Sequence, residues 1–407
     1  MNLTRETTIC IITQSHLCRN PRVLKEATTL AKIGYMVHVL NSIFSPELLE
    51  QDRLSIKGYN ISLVPVSDLT KRNFHSLHSR ALHKMGLLIV KYLKFETPLA
   101  LGYSYPEYLR KCLSVGADLY ICHQELATYI GTNLIKKGFK VAFDFEDWYS
   151  EDLLPDARAQ RPIQLLKKCE STALKRGIFS ITTSMVLAKK LAQSYSCPLP
   201  QVIYNVFPLE KALLEKPKKF NKPIKLFWFS QTIGPGRGLE SFILLLKAIR
   251  PGLEIHLLGC IAPDYREQLS ALTPGQHSLL FHEMVSLKTL PGKIAEFDIG
   301  LALEVKSPMS RNLTITNKFF QYLQSGLPLI TSETAGQDEG FELFKPGFRL
   351  SQHPPKEEIA ALEKWLNDPD ALQEARQRAI AAAKFYNWEN ESKKLAQTLA
   401  RALENGS

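Results

Sequence analysis

Asp298-Ile299-Gly300-Leu301-Ala302-Leu303 and, further on, Asn317-Lys318-Phe319-Phe320-Gln321-Tyr322-Leu323-Gln324-Ser325-Gly326-Leu327-Pro328-Leu329-Ile330 read as buried strand, loop, short helix, glycine stop and buried strand. Thr316 stands at the N-cap position and Gly326 at the C-terminal stop. Asn317 and Lys318 fall in the first turn of the helix. A helix start that follows a strand offers free N–H groups and the positive end of the helix dipole to an anion such as phosphate. An ordinary βαβ crossover has the same pattern, so the rest of the chain has to separate the two readings.

Strand and helix signals alternate on both sides of this stretch. A β-rich run at residues 8–13 is followed by a helix from Pro21 to Ile33, with Val23, Ala27, Leu30 and Ala31 on one face and Gly34 as its stop. Further strands are predicted at residues 35–40, 61–66, 119–122, 141–145, 180–183 and 202–204. Residues 206–224 interrupt the series with Pro208, Pro217, Pro223 and the lysines of 216–219, the pattern of a linker. A second series runs through strands at 224–229, 254–258, 278–281, 299–303 and 327–331, with helices at 239–248 and 359–366. A basic-apolar helix from about residue 390 to 403 ends the chain. The expectation is an α/β protein of two Rossmann-like, doubly wound domains facing a central cleft.

Composition agrees with a globular chain of two or three domains: 407 residues, 45% hydrophobic and 22% charged. The seven cysteines form no CxxC pair, which argues for a reducing compartment and against a disulfide or zinc framework. The apolar run at 8–13 is too short for a signal peptide and no stretch suits a membrane span, so a cytoplasmic location is expected. Residues 1–205 hold 26 Lys+Arg against 17 Asp+Glu, whereas 206–407 hold 25 against 23. A basic first half suggests an anionic membrane surface or substrate as partner; nucleic acid ranks below these because no motif for it is present. Within that half, residues 71–95 interleave Arg72, His75, His78, Arg80, His83, Lys84, Lys91 and Lys94 with leucines, Ile89 and Phe95. Such a helix either lies on an anionic bilayer, peripheral to the inner face of the cell membrane, or packs its apolar face on its own domain.

The second series opens with a strand at 226–229, then Ser230-Gln231-Thr232-Ile233-Gly234-Pro235-Gly236-Arg237-Gly238 and an apolar helix. Gly236 lets the backbone approach a ligand, and Arg237 can grip phosphate oxygens with two parallel N–H groups. The loop has neither the GK[ST] end of a Walker loop nor the spacing of a dinucleotide fingerprint. Two phosphate-seeking features after strands of one sheet predict a ligand carrying a diphosphate. Asp368-Pro369-Asp370 follows one helix and precedes another, so it reads as a turn and cap, and no metal site is expected.

These residues resemble glycosyltransferases of the GT-B fold, and family 4, the retaining nucleotide-sugar-dependent enzymes, most of all. The resemblance spans Asn20-Pro21-Arg22-Val23, Thr182-Thr183-Ser184, Val202-Ile203-Tyr204-Asn205, Arg237-Gly238-Leu239, Asp298-Ile299-Gly300-Leu301 and Asn317-Lys318 through Gly326-Leu327-Pro328. It implies an acceptor-side domain at 1–205, a linker at 206–224, a donor domain at 225–385, and a segment at 386–407 that crosses back to the first domain. By position, Arg237 would hold the donor diphosphate, with Gln231 where a second basic residue is usual. Backbone at Thr316, Asn317 and Lys318 would cap the diphosphate. Gln321 stands where a ribose-binding glutamate is common, and Leu313 where that family has a further acid. Met284 and Val285, after His282-Glu283, would line the nucleotide base.

In the first domain, His123 would lie beside the donor sugar and help to orient it. Asp144, Glu146 and Asp147 would bind acceptor hydroxyls or assist proton transfer. The resemblance further implies attack on the face from which the diphosphate leaves, with no metal and no cofactor besides the nucleotide-sugar co-substrate. A glycan or glycolipid acceptor in cell-surface assembly fits the basic first half. A non-catalytic GT-B protein that binds a nucleotide sugar or glycan, and a sugar-nucleotide epimerase, are the alternatives.

Overall fold

A computed structural model describes residues 7–250 and 252–404; residues 1–6 of the first predicted domain and 405–407 of the C-terminal segment lie outside the described residues. The chain divides into two compact units, Met1–Ile203 with Ser392–Ser407, and Tyr204–Glu391.

The first unit is built on β1 (Thr8–Ile12), β2 (Met36–Ile43), β3 (Ile61–Asp68), β4 (Leu119–His123), β5 (Val141–Phe145), β6 (Ser180–Thr182) and β7 (Gln201–Val202). They pair in the order β3-β2-β1-β4-β5-β6-β7, every ladder parallel. The central strands are continuous apolar runs because helices cover both faces of the sheet. Ile9, Ile11, Leu119 and Ile121 are fully buried accordingly. Leu399, from the last helix (Trp388–Glu404), joins the same core.

The second unit carries β8 (Ile224–Ile233), β9 (Leu253–Ile261), β10 (Ser278–His282), β11 (Ile299–Ala302), β12 (Leu329–Ser332) and β13 (Gly347–Leu350). Its parallel order is β10-β9-β8-β11-β12-β13. The chain winds one way up to β10 and the other way from β11, so β8 and β11 flank the topological switch point, and the crevice beyond their C-terminal ends is where such sheets take ligands. The helix Asn317–Gln324 lies directly on β11. A Cβ on Gly300 would stand 2.2–2.6 Å from ring atoms of Tyr322, so glycine sets how closely helix and strand approach.

Several elements differ from the sequence reading. β8 continues to Ile233 through a register shift between Phe229 and Thr232, so Ser230 and Gln231 form a bulge within the strand, not a loop after it. Residues 206–224 group with the second unit and contain the helix Lys211–Glu215. β13 and the helix Pro369–Phe385 are additions. Asp368 is the cap expected of it, accepting hydrogen bonds from the N–H groups of Asp370 and Ala371.

Candidate functional site

Four charged side chains meet at the switch point of the second sheet. The loop after β8 turns through Gly236 and Gly238, whose φ values of 77° and 81° lie in the left-handed region that glycine adopts without strain. This brings Arg237 over the end of β11, where its Nη1 donates to Glu304 Oε2 at 2.7 Å. Arg311, from the short helix Met309–Leu313, donates to the carbonyl of Gly236 at 3.0 Å and stands 4.0 Å from Glu304 Oε1. Lys318 sets its Nζ 5.1 Å from the centre of the Trp228 ring. Burial lowers the Lys318 ammonium to about 8; Glu304 opposes that shift, while Arg237 and Arg311 add to it. Three cations therefore surround one carboxylate.

Lys318 belongs to the first turn of the Asn317–Gln324 helix, so this charge coincides with the helix's free N–H groups. Thr316 occupies the N-cap position, but its hydroxyl does not cap. It meets Gln337 Oε1 at 3.3 Å, which leaves the first-turn N–H groups without a side-chain acceptor from it. Gln321 is buried on the same helix, and its amide has no hydrogen-bond partner among the described residues. Gln231 is exposed on the bulge of β8, and Met284 and Val285 sit in the segment that leaves β10. All of these positions lie at or beyond the C-terminal ends of the strands.

A second charged cluster belongs to the first unit. Asn20 caps the helix Pro21–Lys32 by accepting from the N–H groups of Arg22 and Val23, and Pro21 suits the first helical position. Arg22 and Glu26, one turn apart, then face the ends of β4 and β5. Arg22 Nε pairs with Asp144, and its Nη1 donates to the carbonyl of Ile203 at 2.9 Å. His123 places Nε2 3.0 Å from Glu26 Oε2 and Nδ1 3.1 Å from Glu146 Oε1. Asn20 Nδ2 donates to that Glu146 oxygen at 2.9 Å.

Burial alone would depress the His123 imidazole, but Glu26, Glu146 and Asp144 raise it to about 10, so it is an imidazolium with both N–H groups donating. Burial pushes the Glu26 carboxyl up. Asp144 is buried too, yet Arg22 and His123 hold it below the usual carboxylate range. Glu26, His123 and Asp144 each turn one possible ligand atom to within 4.8 Å of the others, a spacing that suits a cation. Here the Arg22 guanidinium and the His123 proton already supply that positive charge.

His123 and Asp144 are buried and ion-paired within the first unit, His123 with Glu26 and Asp144 with Arg22. Of the four residues proposed for the first domain, Glu146 and Asp147 are partly exposed. The sequence reading missed Glu304, Arg311 and Glu26 altogether and gave Arg22 no role. A signal existed for the helical pair: Arg22 and Glu26 have the i,i+4 spacing of an ion pair on the helix that Asn20 and Pro21 start.

No protein-family model and no curated protein matches the sequence. Among solved structures, the chain is similar to sucrose-phosphate synthase from Thermosynechococcus elongatus, at 16% identity over 99% of this chain and 100% of that one, with a TM-score of 0.66. It is similar to Anabaena HepE in complex with UDP and glucose, at 16% identity over 97% and 100%, with a TM-score of 0.64. WaaG, a glycosyltransferase involved in lipopolysaccharide biosynthesis, matches at 12% identity over 96% and 98%, with a TM-score of 0.60. The chain has the GT-B fold of these proteins, with two Rossmann-like units on parallel sheets of seven and six strands.

Proposed function

We propose that this GT-B protein is a glycosyltransferase that moves a sugar from a nucleoside diphosphate donor to a hydroxyl acceptor. One observation carries the reading: Arg237, Arg311 and Lys318 converge on the switch point of the second sheet, at the start of a helix with free N–H groups. In sugar transfer the glycosidic bond to the diphosphate breaks, and negative charge grows on the leaving oxygen. Cations and helix N–H groups fixed beforehand stabilise that charge without reorganising. HepE, of like fold, is known with UDP and with UDP-glucose, and we assign the same ligand class here.

In this assignment Arg237 and Lys318 grip the diphosphate together with the backbone at Thr316 and Asn317. Gln321 meets the ribose, Gln231 and Gly236 border the phosphates, and Met284 and Val285 border the base. We assign Glu146 and Asp147 to hydroxyl contacts. The acceptor proton passes to the departing phosphate on the same face, the route of a retaining family 4 enzyme, which needs no metal.

The acceptor we propose is a glycan or glycolipid of cell-surface assembly, reached at the cytoplasmic face of an anionic membrane. Residues 71–95 support this, because they contain Lys71, Arg72, Arg80, Lys84, Lys91 and Lys94 but no Asp or Glu. On and just after the helix Phe74–Leu88, the side chains of Phe74, Tyr92, Leu93 and Phe95 are 67–77% exposed. Each Lys or Arg near an anionic surface contributes about 1 kcal/mol, and the exposed rings and Leu93 add apolar burial. Among the described residues no helix is long and apolar enough to cross a membrane, so this contact would be peripheral.

The test is release of nucleoside diphosphate from a panel of nucleotide sugars, with and without membrane glycan extract. Acceptor-dependent release supports transfer. Binding without release would make the protein a nucleotide-sugar binder, and no binding at all would refute the donor site. Sedimentation with liposomes that is indifferent to anionic lipid and to salt would refute the membrane contact.

A further inference from the structure

Glu304 is the least expected residue of the cationic cluster. It is only 3% exposed, and a carboxylate so buried needs partners to offset its desolvation. Its backbone N–H donates to Ser332 Oγ at 3.0 Å, so its position at the end of β11 is fixed. Its side chain takes Arg237 on one oxygen, and on the other the N–H of Val305 at 3.1 Å, with Arg311 at longer range. The cations themselves are only partly covered. Arg237 keeps 41% of its side chain exposed, and Lys318 has no hydrogen-bond partner among the described residues. A buried anion beneath partly exposed cations, Arg237 most of all, leaves the cluster with one face for a second anion.

We propose that Glu304 is a positioning residue that serves as a resident counter-anion. It holds Arg237 in place while the site is empty, yields it to a diphosphate on binding, and takes it back when the nucleoside diphosphate leaves. The inference rests on the donor site proposed above. Charge counting supports the exchange: three cations less one carboxylate leave the empty site at +2, which a diphosphate diester of charge −2 brings to zero. Without Glu304 the empty site would carry +3 and the occupied one +1, so both donor and product would be held more tightly than neutrality requires. Glu304 thereby favours product release at the expense of affinity.

The experiment is titration of wild type and Glu304→Gln with inorganic pyrophosphate and with nucleoside diphosphates at low salt. Tighter binding of both by Glu304→Gln, on the order of tenfold, is expected from removing one negative charge beside the clamp. Turnover should fall together with KM, because release slows. A residue that merely aligned Arg237 would give the opposite sign, so weaker or unchanged binding overturns the inference. The gain should be smaller when Arg237 is already alanine, because Glu304 then acts only through Arg311 and Lys318 and has no Arg237 pair to give up, and a full gain in that background overturns the exchange. If Glu304→Gln does not fold, Glu304→Asp keeps the charge but withdraws it from Arg237 by one methylene. Tightening of about two- to threefold is then expected, and unchanged or weaker binding overturns the exchange. Pyrophosphate separates the two proposals: a wild type that binds pyrophosphate but no nucleotide refutes the donor reading and leaves the exchange to be decided by the variant's sign. A wild type that binds neither refutes both.

Discussion

Lys318 makes donor binding depend on pH in a way that can be worked out in advance. In the unliganded protein its ammonium titrates at about 8, lowered first by burial and further by Arg237 and Arg311. A diphosphate against the same nitrogen favours the charged form and returns it toward the ordinary lysine value of about 10.4. The ligand thus binds the ammonium form better. Its dissociation constant should be flat below about pH 7.5 and should rise about tenfold by pH 9, since one pH unit above the free value leaves only about a tenth of the lysine charged. Isothermal titration of a nucleotide sugar at pH 7, 8 and 9 measures this directly. Lys318→Arg keeps its charge throughout, so its profile should be flat, and any slope it retains comes from the nucleotide base. Stability of the empty protein runs the other way. The folded value lies below the unfolded one, so the unfolded chain binds more protons between about pH 8 and 10, and this group's contribution to stability rises across that window. A wild-type profile flat from pH 7 to 9, or one identical to that of Lys318→Arg, would refute the placement of Lys318 against the diphosphate.

Replacing His123 by Gln removes an imidazolium from between Glu26 and Glu146 and should cost about 3 kcal/mol of stability. This is measurable as a lowered melting temperature at pH 7. The folded imidazole lies near 10, above its unfolded value, so its contribution is full below about pH 6.5 and is lost as pH rises through 10; the gap between wild type and variant should shrink on that scale. Arg237→Ala should weaken nucleotide diphosphate binding by about ten- to a hundredfold, the worth of about 1.5–3 kcal/mol for a charge-assisted hydrogen bond, with a modest change in melting temperature because Arg311 stays beside Glu304. Gly300→Ala forces a methyl into the Tyr322 ring and should cost about 1–3 kcal/mol while displacing the helix start, so affinity and stability fall together.

What could be read from the sequence was what depends on local pattern. Residues 9–12 and 119–122 announce strands because strands covered on both faces of a parallel sheet are unbroken apolar runs. β13 escaped because it is an edge strand without such a run: Arg349 within it pairs with Asp338 and Glu333. The helix Pro369–Phe385 buries Ala375, Ala379, Ala382 and Ala383, side chains too small to mark a hydrophobic stripe. At the site, Arg237 and the Asn317-Lys318 turn were legible because glycines and a helix start are local features. Glu304 lies just past the end of β11 and Arg311 on a helix of only five residues, too short for a periodicity that would point to it. His123 could be named, but its partner Glu26 lies 97 residues away in the chain, so its charge state and burial could not be read.

The two charged clusters differ in the property that separates a structural network from a binding site. In the first unit Arg22, His123, Glu26 and Asp144 are sealed from solvent, with cations and carboxylates paired against one another. A network sealed from solvent and paired within itself fixes geometry. In the second unit the cations outnumber the carboxylate and are partly exposed. The proposed donor site therefore rests on the second cluster. The first holds Glu146, which keeps some solvent access, through His123 and Asn20. Both ring nitrogens of His123 face carboxylates, Glu26 on one side and Glu146 on the other, and these push its imidazole up. In the proposed transfer the acceptor proton goes to the departing diphosphate, and Glu146 and Asp147, the partly exposed carboxylates assigned to hydroxyl contacts, are the alternative acceptors to be tested. Replacing both carboxylates by amides distinguishes these: turnover that survives Glu146→Gln with Asp147→Asn leaves the leaving group as the proton acceptor.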